Sequence, residues 1–230
     1  MGRMLESGNE RILIFVPHAD DEVLGCGGLI EKACRYRNAV KVVLASVGNS
    51  FFWHRDRPVS ARSRKKEFYD ALRFLGCTNR EIMFNDKENA LDTIPRKDIV
   101  TKIDIILTEF KPTMIFIPYP SFNHDHQALF EACIAGLRPI PDRHYKIIAM
   151  YEYPLIVWQY PKLRDTGEMY LDISGTIEKK VEALRKHRSQ IREPRHLISP
   201  ESVRKWAAKR GMEVGLEYAE KYHLLKAMLF

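Results

Sequence analysis

The apolar positions of the chain fall into short dense runs separated by longer amphipathic stretches. The first run, Ile12-Leu13-Ile14-Phe15, is apolar at every position and suits a strand buried on both faces. Val40 to Val47, Glu81 to Phe84, Thr113 to Pro118 and Lys146 to Tyr151 read as further strands, with Met169 to Ile173 a sixth candidate. Helical periods lie between them. One begins with Asp20, Asp21 and Glu22 in its first turn and runs to about Arg37. Ser60 to Leu75 places Phe68, Leu72 and Leu75 on one face before Gly76, and Pro95 to Phe110 carries a stripe of Ile99, Ile103, Ile106 and Phe110. Gln127 to Leu137 follows, and beyond about residue 175 the chain reads as helical and charged: Ile177 to Ser189, Pro200 to Lys209 and Met212 to Leu225. This alternation predicts an α/β fold, a mainly parallel sheet with helices on both faces. No linker or repeat divides it, so one domain is expected over residues 1–230, with a helical C-terminal part.

Polar residues gather at two strand ends. Val16 to Gly28 (VPHADDEVLGCGG) follows the first strand, and Tyr119 to His126 (YPSFNHDH) follows the fourth. Each runs from strand to proline to His and Asp at a helix start, at the sheet edge where α/β folds bind ligands. Acids also suit a helix N-terminus, so the first cluster read alone serves equally as a helix start or a metal site. Parallel strands bring the clusters together. Two imidazoles and a carboxylate with open positions meet the needs of a catalytic zinc, which makes His18, Asp21 and His126 candidate ligands. If Asp21 binds the metal, Asp20 points differently from the same turn and stays free to take a proton from water, whose pKa on such a metal falls to roughly 7. For His126 alone, a bond to a backbone carbonyl is the plainer account; recurrence of the pattern favours metal.

Composition adds less. The 230 residues are 45% hydrophobic, ample for a sizeable core, and the formal charge of +7 attracts anions without choosing among phosphate, anionic sugar, acidic lipid and nucleic acid. Cys26, Cys34, Cys77 and Cys133 are scattered, as expected of reduced thiols in a cytoplasmic protein. No run is long enough for a signal peptide or membrane span, so a lipid-linked substrate would be met at a membrane surface. The aromatic and basic stretch Phe51 to Pro58 reads either as a pocket wall or as a loop packed on the domain.

His18-Ala19-Asp20-Asp21-Glu22 resembles the HPDDE motif of the PIG-L/LmbE family of zinc-dependent N-acetylglucosaminyl deacetylases, and Asn123-His124-Asp125-His126 resembles its HxDH motif. Arg64 to Glu67 with Ala71 and Leu75-Gly76 is similar to the family's RxxE helix, Tyr151-Glu152 to a late strand end, and Lys179, His187, Ser189 and Gln190 to a late helix. The resemblance implies a Rossmann-like three-layer domain and hydrolysis of an acetamide on an N-acetylglucosamine-type sugar or its conjugate. It implies one zinc per chain, another divalent metal being possible, held by His18, Asp21 and His126, with Asp20 as general base. Asp125 would orient a neighbouring histidine, and Arg64 would bind a sugar hydroxyl or an attached anion. Two departures stand out. Ala19 replaces a proline. Asn123 replaces a histidine, and an amide can donate to an oxyanion but cannot transfer a proton. Proton delivery to the leaving amine then falls to Asp20 or to His124.

Three alternatives are weaker. Gly25-Cys26-Gly27-Gly28 fails as a GxGxxG nucleotide fingerprint, because Ile30 stands where the last glycine belongs; the glycines better serve close packing of helix on sheet. A metal phosphohydrolase would be expected to hold two metals. A nucleic-acid-binding protein would show a basic stripe, whereas Lys179, Lys180, Arg185, Lys186 and Arg188 are mixed with Glu178 and Glu182, as on a solvated helix face. The partner expected is an acetylated amino sugar, whether plain, anionic or lipid-linked; nucleic acid is not expected, and the sequence is compatible with a homo-oligomer.

Overall fold

The computed structural model describes residues 2–52, 56–158 and 166–228. In chain order it runs α1 (Gly2–Glu6), β1 (Arg11–Val16), α2 (Asp21–Arg35), β2 (Ala39–Val47), β3 (Ser50–Phe52), β4 (Arg57–Val59), α3 (Ala61–Phe74), β5 (Asn79–Asn85), α4 (Arg96–Phe110), β6 (Met114–Pro118), α5 (His124–Gly136), β7 (Ile147–Tyr151), β8 (Gly167–Asp172), α6 (Ile177–Leu184), α7 (Pro200–Met212) and β9 (Ala219–Ala227). One sheet has the order β5-β2-β1-β6-β7-β9-β8, with β5 through β7 parallel and β9 running against both neighbours. Helices cover both faces. This is the expected Rossmann-like α/β layout, and the order reverses between β1 and β6, the switch point where such sheets leave a crevice.

Alternation along β1 explains why both faces are dry. Ile12, Ile14 and Val16 pack with α2 and α3, whereas Leu13 and Phe15 pack with α4 and α5, all five fully buried. Each such side chain contributes roughly 1.5–3 kcal/mol, a large reserve against local strain at the strand's end. The glycines of α2 lie inside the helix and allow close packing, as expected. A Cβ on Gly25 would sit 2.2 Å from the Tyr151 ring, and one on Gly28 would sit 2.4 Å from Ile173.

The C-terminal part departs from the all-helical expectation. Residues 219–227, of which 219–225 are expected inside a helix from Met212 to Leu225, form strand β9 between β7 and β8. Glu220 and Tyr222 are buried from one side of that strand, and Gly215 (φ +72°) turns the chain back after α7. Charge at Glu220 looks like a solvated helix face, but its carboxylate accepts from Lys180 Nζ at 2.6 Å and from the Tyr222 hydroxyl at 2.7 Å. Lys180 is therefore buried in an ion pair and is not on the solvated face assigned to it from the sequence. Two shorter shifts bear on the site: α5 begins at His124 instead of Gln127, and α6 ends at Leu184, releasing residues 185–190 into a turn. The Phe51 to Pro58 stretch contains the small antiparallel pair β3–β4, with Trp53, His54 and Arg55 outside the described residues.

Candidate active site

The carboxyl ends of β1 and β6 deliver the two polar clusters to one pocket of about 160 Å³, whose lining includes His18, Asp20, Asp21, Arg64, Asn123 and His126. Asp21 opens α2, and its Oδ2 lies 3.4 Å from His18 Nδ1 and 3.2 Å from His126 Nε2. Donors held at about 2.0–2.1 Å around a tetrahedral ion stand roughly 3.3 Å apart, so this spacing fits such an ion. Among the described residues, these three form the one His/Asp cluster able to hold a metal.

Electrostatics favours a cation there. Burial disfavours charge on His18, but hydrogen bonds to Asp125 and Asp21 overcome it and raise its pKa to about 10. Burial also acts against charge on Asp21, yet His126 and His18 together hold its carboxyl well below the usual range. A metal would replace the proton the site otherwise attracts.

Asp125 is buried in the first turn of α5 and accepts from the backbone N–H groups of Asn89 (2.7 Å) and Leu91 (2.9 Å). Its Oδ2 stands 3.1 Å from His18 Nε2, which fixes the proton on that nitrogen and turns Nδ1 toward Asp21. The expected orienting role thus falls on His18. His126 is steadied differently, by the Tyr153 ring at 4.6 Å between centroids.

Asp20 occupies an unusual position. It precedes α2 with φ 141° and ψ −26°, a region essentially reserved for glycine, and makes no side-chain cap. Such strain costs about 1–3 kcal/mol, which the surrounding burial can sustain. Its backbone N–H donates to Glu22 Oε2 at 2.9 Å. Burial, reinforced by the Asp21 charge, raises the Asp20 carboxyl to about 7, while Arg64 and His187 oppose the shift. A carboxyl so placed can accept and return a proton near neutrality.

Asn123 caps α5: its Oδ1 accepts from Asp125 N–H (2.9 Å) and His126 N–H (3.4 Å), and the residue lines the pocket. His124, one residue on, is exposed and lines a different cavity with Leu91, Asp92, Arg96 and Glu131. The fold does not bring it to the other site residues. Arg64 lies 2% exposed, with Nη2 2.7 Å from Glu88 Oε1. That acid neutralises the guanidinium and was not singled out from the sequence; a lone Glu in a surface-looking loop carries no signal of its partner. Glu22 and His187 form a further buried pair behind Asp20. The described residues Arg57, Pro58 and Val59 line a separate cavity with Ser60 and Glu67.

A buried His-Asp-His cluster that could hold a metal thus lies beside the Asp20 carboxyl at the switch point of a doubly wound, Rossmann-like sheet. The PIG-L family model, described as GlcNAc-PI de-N-acetylase, matches residues 13–136, and the chain belongs to that family. A relative from Bacillus subtilis, a probable N-acetyl-alpha-D-glucosaminyl L-malate deacetylase, is 28% identical over 201 residues, covering 79% of this chain and 83% of its own length. The N,N'-diacetylchitobiose deacetylase of Pyrococcus horikoshii shares the fold with a TM-score of 0.75 at 23% identity, over 96% of this chain and 85% of that one. So does the 4-carboxy-2-hydroxymuconate hydratase of Pseudomonas putida, with a TM-score of 0.70 at 20% identity over 95% and 97%. The last shows that the fold alone does not select the reaction.

Proposed function

We propose that the protein is a zinc-dependent N-deacetylase that removes acetate from an N-acetylglucosamine-type sugar or its conjugate. The observation that carries this reading is the division of labour at Asp20 and Asp21: one carboxylate is committed to the two histidines, and its neighbour is strained, unpaired by any cap and tuned near neutrality. His18 Nδ1, Asp21 Oδ2 and His126 Nε2 would hold the metal. When bound there, zinc supplies Lewis acidity, polarising the acetamide carbonyl and lowering the pKa of water.

The chain's own groups complete the reaction. Asp20 takes a proton from the attacking water as the new C–O bond forms. Asn123 Nδ2, the half of the amide not spent on α5, donates to the carbonyl oxygen as it gains charge. Protonated Asp20 then returns its proton to the nitrogen as the C–N bond breaks, so acetate and a free amino sugar leave. His124, facing another cavity, is not needed for that transfer. Glu88 offsets the Arg64 charge at the pocket, which suits a sugar hydroxyl better than an anion.

Acetate release across a panel of acetylated amino sugars, before and after chelation and with metal counted per chain, tests the reading. We expect release from at least one member, lost on chelation and restored by zinc at one ion per chain. No release from any member by metal-loaded protein would refute it, and two metals per chain would favour the phosphohydrolase alternative.

A further inference from the structure

The turn that follows α6 reaches back behind the base. His187 is fully buried, and its Nε2 stands 2.6 Å from Glu22 Oε1, so the N–H donates to that carboxylate. The other oxygen of Glu22 accepts the backbone N–H of Asp20, at the residue held at φ 141°. The same turn is fastened to α3, because Ser189 donates from its backbone N–H (2.8 Å) and its hydroxyl (2.5 Å) to Glu67. Gln190 then enters the lining of the pocket. We infer that His187 is a positioning residue for Asp20, acting through Glu22 from 165 residues further along the chain.

A backbone conformation that only glycine adopts freely persists where its surroundings over-determine it. At Asp20 the side chain supplies no cap, and the one side-chain acceptor on its N–H is Glu22 Oε2. That carboxylate keeps its place only while its second oxygen is held. His187 holds it, and neither group reaches the substrate pocket lining. Its effect on the reaction therefore runs through the aim of the Asp20 carboxylate, and displacement by about 1 Å can cost roughly 10²-fold in rate.

The kinetic arm of the test rests on the deacetylase reading; the structural arm does not. Three proteins are compared: wild type, His187→Ala, and His187→Gln, whose amide can still donate to Glu22. Crystal structures of all three report the Asp20 backbone. We expect Asp20 to relax to negative φ in His187→Ala and to keep positive φ in His187→Gln. Where wild type releases acetate, His187→Ala should lose about 10²-fold in kcat with little change in KM, and His187→Gln should recover most of it. Metal content should stay that of wild type in both variants. Asp20 unmoved at φ near 140° in His187→Ala would overturn the inference, whatever the activity. So would an equal loss in both variants, or loss of metal from His187→Ala, since either would mark a general structural role. Absence of acetate release from wild type would count against the proposed function and leave the Asp20 backbone to decide this one.

Discussion

After β1 the chain enters the pocket through Asp20, at φ 141° with no side-chain cap; after β6 it enters through Asn123, at φ −78°, whose side chain caps α5. Both ends carry histidines and acids just past a proline, and both serve the same candidate centre. The first end brings the proposed base and two metal-ligand candidates in a glycine-like conformation at Asp20, where its own Glu22 accepts the backbone N–H and is in turn held by the distant His187. The second caps its own helix, and contributes the third ligand candidate and the carboxylate that turns His18, itself held by the backbone of Asn89 and Leu91. Like motifs therefore need not be built alike: backbone strain falls on the proposed base, and ordinary helix capping serves the second cluster.

The sharpest way to break this comparison is to remove the strain together with the base. Asp20→Gly should lower kcat by about 10²–10⁴-fold, the usual worth of general acid–base catalysis, with metal still bound. The same substitution should raise stability by about 1 kcal/mol or more, because glycine accepts the backbone angle freely and a buried carboxyl disappears. Kinetics and denaturant unfolding measure the two effects. A destabilised variant would show that the Asp20 conformation is not strained in solution. Next in size is Asp125→Asn, which weakens the grip on His18 Nε2 and should reduce metal affinity or activity by about 10–100-fold. Competition against a chromophoric chelator reads the affinity, and values equal to wild type in both affinity and rate would remove Asp125 as the orienting group.

What the sequence disclosed follows the same division. The central parallel strands were legible because both their faces are buried, which leaves runs such as Ile12 to Val16 without a polar position. The ligand candidates were legible because motif and strand end coincide. Strand β9 was not, since Glu220 and Lys180 look solvated until the fold joins them, and a buried ion pair leaves no local pattern. Glu88 beside Arg64 and Glu22 beside His187 were hidden for the same reason: each pairing is a property of the fold, made across loops or across most of the chain. Asn123 was read as a gap in catalytic equipment, and its capping role emerged only when α5 proved to start three residues earlier than its apolar periodicity predicts.

That role supplies the smallest and most discriminating prediction. If the second strand end is ordinary helix architecture, Asn123→Ala should cost about 1 kcal/mol, the usual worth of an N-cap, and lower Tm by about 2–4 °C in a chain of this size. Asn123→Ser should keep most of that stability, because a hydroxyl caps nearly as well as an amide. Both variants lack the Nδ2 donor proposed for the carbonyl oxygen, so a fall in kcat common to both belongs to the donor, whereas a difference between them belongs to the cap. His124→Ala serves as the reference within the same turn: exposed and directed to another cavity, it should stay within about 0.5 kcal/mol of wild type in stability and should not change kcat. A large loss of kcat in His124→Ala, with Asn123→Ser fully active, would reverse the assignment and place proton delivery on the histidine.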